Sequence, residues 1–181
     1  MSDFTTRPEI RGTFGVVTST HWIASAVGMS ILEKGGNAFD AAVATALTLQ
    51  VVEPHLNGPA GDMPAIFYSV DTGRVDVLCA QGVAPAAATV EHYSAQGLTL
   101  VPGSGLLSTV VPGAFDGWML MLRDHGTMTL REVMQPAIDY ARDGHPVLPR
   151  VAHTIAGLTE FFQTEYSTHA FGPSSAGKTT R

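Results

Sequence analysis

Residues 24–58 read ASAVGMSILEKGGNAFDAAVATALTLQVVEPHLNG. Ala24, Val27, Ile31 and Leu32 fall near helical spacing, which predicts a helix over Ala24–Lys34, with Ser25 as a cap or an interior residue. Gly35 and Gly36 end it, since glycine takes up the left-handed C-terminal conformation at little cost. Asn37 is a good cap for the next helix. Phe39–Val52 is rich in Ala and Leu and apolar nearly all round. A helix of that kind is buried on most sides, so this one is expected at the centre of the core, against a sheet, with Ala41, Ala42 and Ala44 allowing close approach. Pro54 stops it.

Working outward, Phe14–Ser19 is a short apolar, β-branched run read as a strand. Met1–Thr13 before it reads as a disordered lead-in (1–13). His55–Pro64 is a loop dense in Gly and Pro. Ala65–Val70 and Arg74–Ala80 are β-runs joined by Asp71-Thr72-Gly73, the clearest hairpin in the chain. Helices are expected over Val90–Gln96, Gly113–Asp124, Thr129–Asp143 and Arg150–Tyr166. Thr129 and Glu132 match a capping box, and Pro136 is a potential kink. Residues 169–181 read as a disordered tail, leaving 14–168 as the folded unit. The order of strand, two helices, hairpin and further helices is a mixed α+β pattern with antiparallel pairing.

Composition narrows the function. The 181 residues carry 10 Lys+Arg against 16 Asp+Glu, a net charge of −6, with no basic stretch. That argues against nucleic acid as a partner. Only 14% of residues are charged, below the usual ~25% of a soluble domain. A single cysteine, Cys79, excludes a disulfide scaffold and a cysteine-based zinc site. Placed at the end of an apolar strand, it reads as a small buried hydrophobe. No apolar run is long enough for a membrane helix, and no secretory leader is visible, so no membrane partner and a cytoplasmic location are expected.

Generic motifs give no complete catalytic set. Gly172–Thr179 fits the phosphate-loop string G-x-x-x-x-G-K-[ST], but only Thr180 and Arg181 follow it, too few for the helix whose N-terminus would hold phosphates. The seven histidines have no metal-like spacing, and neither a metal nor another cofactor is expected. His55 suits a structural hydrogen bond. Ser104, in Gly103-Ser104-Gly105, lacks the nucleophile-elbow pattern and reads as a turn serine. What remains is a set of glycines that let backbone approach backbone or ligand: Gly35-Gly36-Asn37-Ala38, Asn57-Gly58-Pro59-Ala60-Gly61, and Val111-Pro112-Gly113.

Residues 24–58, Ala84-Pro85-Ala86, Ser108–Gly113 (STVVPG) and His125–Val147 (HGTMTLREVMQPAIDYARDGHPV) occur in the order of the gamma-glutamyltransferase (gamma-glutamyltranspeptidase, glutathione hydrolase) family, which the chain resembles from Gly15 to about Tyr166. The resemblance implies the first part of an N-terminal-nucleophile hydrolase, an αββα sandwich incomplete here. It implies a gamma-glutamyl or related amide substrate, attacked by the N-terminal threonine of a small subunit freed by self-cleavage. That nucleophile is expected beyond the end of this chain, so no catalytic residue is assigned within it. A small-subunit half is the expected partner.

Two departures from the family pattern stand out. Transpeptidases of the family carry an arginine that grips the substrate α-carboxylate shortly before the Ala-Pro; here Gln81 is near that place, as the candidate substrate-binding residue. Glutamine offers one hydrogen bond without the charged bidentate contact of arginine. The family's Gly-Gly-Gly loop is replaced by Asn57-Gly58-Pro59-Ala60-Gly61-Asp62-Met63, which brings Asp62 toward the active-site side. The alternative is a non-catalytic remnant or scaffold, and the change in composition after about Thr168 is read as a truncation or change of frame. A nucleotide-binding protein would rest on the tail string alone.

Overall fold

The computed structural model describes residues 9–103 and 105–159. Ser104, the tail string and the last part of the Arg150–Tyr166 helix lie outside them. The elements are α1 (Trp22–Glu33), α2 (Ala38–Val52), β1 (Met63–Ser69), β2 (Arg74–Ala80), α3 (Val90–Ala95), a 3-10 turn at Leu106–Ser108, α4 (Ala114–His125), α5 (Leu130–Asp143) and α6 (Pro149–Gly157).

Helix α1 starts two residues earlier than its periodicity suggests. His21 caps it, its Nδ1 accepting from the Ile23 N–H at 3.2 Å, and Ser25 lies inside the helix. Gly35 closes it at φ +94°, a conformation costly for any side chain. Asn37 then opens α2 with a full capping box: its side chain accepts from the Phe39 and Asp40 N–H groups, and Asp40 accepts from the Asn37 N–H. Gly28 in α1 lies so close to Ala41 and Thr45 of α2 that a Cβ there would overlap the Thr45 hydroxyl. The two helices therefore pack almost backbone to backbone.

Ala41, Val43, Ala44 and Leu47 of α2 are buried together with Val27 and Ile31 of α1, Ala114, Trp118, Met121 and Leu122 of α4, and Val133 and Ala137 of α5. Helix α5 has its predicted capping box at Thr129 and Glu132 and runs through Pro136 without a break. The principal neighbours of α2 are helices rather than the sheet. The hairpin meets α2 edge-on at Phe39 against Phe67, with ring centres 5.1 Å apart. Ala42, expected in that contact, is exposed, because the 100° step from Ala41 turns it away from α1, α4 and α5.

The hairpin pairs Met63 with Ala80 through Ser69 with Arg74 in antiparallel register. Its inner face carries Met63, Ala65, Phe67, Leu78 and Ala80. The outer face carries Ile66, Tyr68, Val75, Val77 and Cys79 and is open, with Val77 72% exposed. Cys79 is thus exposed rather than buried: strand alternation puts it opposite Pro64 on the uncovered face.

The expected strand at Phe14–Ser19 does not form. Residues 14–19 take no regular secondary structure, and among the described residues the only sheet is the two-stranded hairpin. The segment lies instead along the helices, with Val17 against Gly28 and Gly15 beside Leu32. Side chains favour extended backbone locally, whereas a strand also needs a partner to complete its hydrogen bonds.

Candidate functional site

Two of the three segments marked by glycine, residues 57–61 and 111–113, converge at the end of β2. Gly82 follows Gln81 and passes so close to Val111 that a Cβ would land inside the Val111 carbonyl. A Cβ on Gly113 would come within 2.6 Å of the Ala80 carbonyl oxygen, and one on Gly117 would overlap Ala80 itself. Only glycine lets the strand end, the Val111–Gly113 segment and the first turn of α4 meet this closely.

Hydrogen bonds fix the junction. The Val111 N–H donates to the Val83 carbonyl at 3.0 Å. The first N–H groups of α4, which have no partner within the helix, are taken up by the loop after α2: Ala114 donates to Gly61 (2.9 Å) and Phe115 to Pro59 (3.2 Å). Asp62 accepts from the Gly82 N–H at 3.3 Å. Gln81 sits exposed at the strand end, its Oε1 3.8 Å from the Cys79 Sγ. The structure therefore brings Gln81 and Asp62 to one place, from segments twenty residues apart. Residues 57–63, 80–84 and 108–113 contain no lysine or arginine, so the junction offers neutral hydrogen-bonding groups and one carboxylate.

His55 does not join this group. Its Nδ1 is buried without a hydrogen-bond partner among the described residues. No set of three metal-ligating side chains occurs among those residues, and none of their helices is long and apolar enough to cross a membrane.

Two buried carboxylates went unnoticed in the sequence. Asp40 is fully buried and accepts from the N–H groups of Asn37, Thr127 and Met128 and from the Thr127 hydroxyl, at 2.6–3.2 Å. Burial opposes its ionisation, but the Thr127 hydroxyl and the backbone donors outweigh that and hold the carboxyl below its ordinary range. The N–x–x–D spacing from Asn37 was the available signal. Glu53, the C-cap of α2, is also fully buried; it accepts from the Thr20 hydroxyl and pairs with Arg150 at 3.1 Å. Nothing local announces those partners.

A two-stranded hairpin laid over a helical core makes this a mixed α+β arrangement. The family model described as Gamma-glutamyltranspeptidase matches residues 24–180, and the chain belongs to that family. The glutathione hydrolase-like YwrD proenzyme of Bacillus subtilis (strain 168) is 38% identical over 162 residues, 88% of this chain and 30% of that relative. The structure of LmbA2991HD matches with a TM-score of 0.83 and 57% identity, over 91% of this chain and 28% of that one. Helicobacter pylori gamma-glutamyltranspeptidase matches with a TM-score of 0.79 and 33% identity, over 88% and 46%. The chain thus spans about 30% of the length of YwrD.

Proposed function

We propose that this chain supplies the first part of a hydrolase or transferase that cleaves gamma-glutamyl or related amide bonds through an acyl-threonine intermediate. The threonine is expected on a small-subunit half outside these 181 residues. The observation that carries the reading is the glycine junction at Gln81, formed from segments that all lie within the family match. The names of other relatives support an amide substrate without fixing which: an acylase ACY 1 proenzyme from Pseudomonas and an oxamate amidohydrolase proenzyme from Klebsiella pneumoniae match at 36% and 35% identity.

In this reading Gln81 faces the substrate where a family arginine would hold an α-carboxylate. A glutamine beside Asp62, with no cation in the neighbouring segments, favours an uncharged group there over a free carboxylate. The mechanism needs this chain to position the acyl group while the terminal amine of the threonine serves as base. The test is hydrolysis of a gamma-glutamyl anilide by the pure chain and by the chain co-expressed with a family small subunit. The pure chain is expected to be inactive and the pair active. Turnover by the pure chain that heating abolishes would overturn the division of labour. In the active pair, Gln81→Arg should favour glutathione over its α-amide; unchanged discrimination would remove Gln81 from the site.

A further inference from the structure

We infer that Glu53 is a positioning residue whose buried carboxylate couples the docking of α6 to the geometry of the glycine junction. The carboxylate has 0% exposure, and its partners come from distant parts of the chain: Thr20 before α1, and Arg150 in the first turn of α6, 97 residues away. The Glu53 carbonyl in turn accepts from the Leu56 N–H (3.0 Å) and the Asn57 side-chain amide (3.2 Å), fixing the exit from α2. From there the connection is short. The Gly61 N–H donates to Gly58, the Gly61 and Pro59 carbonyls hold the first turn of α4, and Asp62 holds the Gly82 N–H beside Gln81.

Helix stability does not account for Glu53. A carboxylate at a helix C-terminus faces the negative end of the dipole, where a cation is preferred. A buried ion pair is also weak evidence of stabilisation, because desolvation offsets much of the attraction. Arg150 keeps 65% of its side chain in solvent, so the link has one buried end, at Glu53, and one largely solvated end, on α6. Losing Arg150 leaves the carboxylate uncompensated. The cheapest relief is for the α2 exit to shift toward water, and that displaces residues 57–62.

The functional consequence rests on the reading of Gln81 above, but the coupling does not, and it is tested without substrate. Amide hydrogen exchange on the full 181-residue chain compares Ala114 and Phe115, at the junction, with Thr127 and Met128, held by Asp40 at the opposite end of α2. Arg150→Met should lower protection of the first pair about tenfold while leaving the second pair unchanged. Arg150→Lys, which keeps the charge, should restore it. Glu53→Gln keeps the volume and an acceptor for Thr20 but removes the charge that drives the α2 exit toward water, so it should restore protection of the first pair in the Arg150→Met background, and Arg150→Gln gives a second break of the pair should Arg150→Met fail to fold. Equal losses in both pairs would mean a merely structural role, and no loss in either would mean no coupling; both outcomes overturn the inference. Failure of the Gln81→Arg discrimination with the selective exchange pattern intact would discard the substrate reading alone.

Discussion

The two ends of α2 each bury a carboxylate, and they do so in opposite ways. Asp40, in the first turn, meets the positive end of the helix dipole and is surrounded mainly by backbone N–H groups from its own cap and from the α4–α5 connection. Asn37 adds a 2.6 Å bond from its side-chain amide to the His125 carbonyl at the end of α4. Glu53, at the last turn, meets the negative end and depends on two side chains, one of them largely in solvent. The first arrangement closes a knot in the core. The second spans three separated segments and ends beside the loop that shapes the junction. Burial alone therefore does not say what a charge is for; the donors around it do.

Breaking the Asp40 end should have the largest effect. Asp40→Ala removes at once the acceptor of the Asn37, Thr127 and Met128 N–H groups and of the Thr127 hydroxyl, with Met128 half-buried and Thr127 on the exposed side of the connection. A loss of about 3 kcal/mol is expected, because several hydrogen bonds to one ionised acceptor are lost together. Urea unfolding measures it, and a loss below about 1 kcal/mol would show that water replaces the carboxylate freely. Acid should mimic the substitution in part. Because the native carboxyl lies below its ordinary value of 3.8, its contribution is complete above that pH and is lost as pH falls through the lowered native value. The parent should lose this increment on acidification, and Asp40→Ala should not.

An intermediate effect belongs to the junction that the Glu53 end supports. In Gly82→Ala the new Cβ meets the Val111 carbonyl, so the strand end and the Val111–Gly113 segment must separate. Overpacking of this kind costs about 1–3 kcal/mol. The displacement should appear as faster exchange of the Val111 N–H, which donates to Val83. Unchanged stability and exchange would mean that the close approach is not maintained in solution.

Local signals carried much of this fold. The glycine pair at 35–36, the Asn37 cap and the capping box at Thr129 and Glu132 each act within four residues, and the structure has all of them. The hairpin follows from Asp71-Thr72-Gly73, with Gly73 at φ +65°. The misreadings have a common cause. Phe14–Ser19 has strand-forming side chains, yet a ladder depends on a partner that no local pattern supplies. Cys79 and Ala42 sit in apolar runs, and periodicity shows that such runs have two faces without showing which one is covered. Gln81 was marked through family resemblance rather than through its own chemistry. Asp62 is marked in the same way, but its bond to the Gly82 N–H, 20 residues on, and the pairing of Glu53 with Arg150, 97 residues apart, become visible only when the chain is folded.

The smallest expected effect lies beside Asp40, near the start of α2, and separates the packed side of the helix from its open side. Ala41 is 3% exposed, whereas Ala42 is exposed and borders a groove of about 560 Å³ that Val16, Ala38, Ala46 and Leu49 also line. Ala42→Glu sets a carboxylate at the edge of that groove, where it can stay hydrated. It should change stability by no more than about 0.5 kcal/mol, as surface substitutions do. Ala41→Glu forces the same group between α1 and α2 and should unfold the chain at far lower urea. A large loss for Ala42→Glu would mean that the groove is filled in solution. The open side of α2 would then be as closely packed as the side bearing Asp40, and the contrast along this helix would rest on its two termini alone.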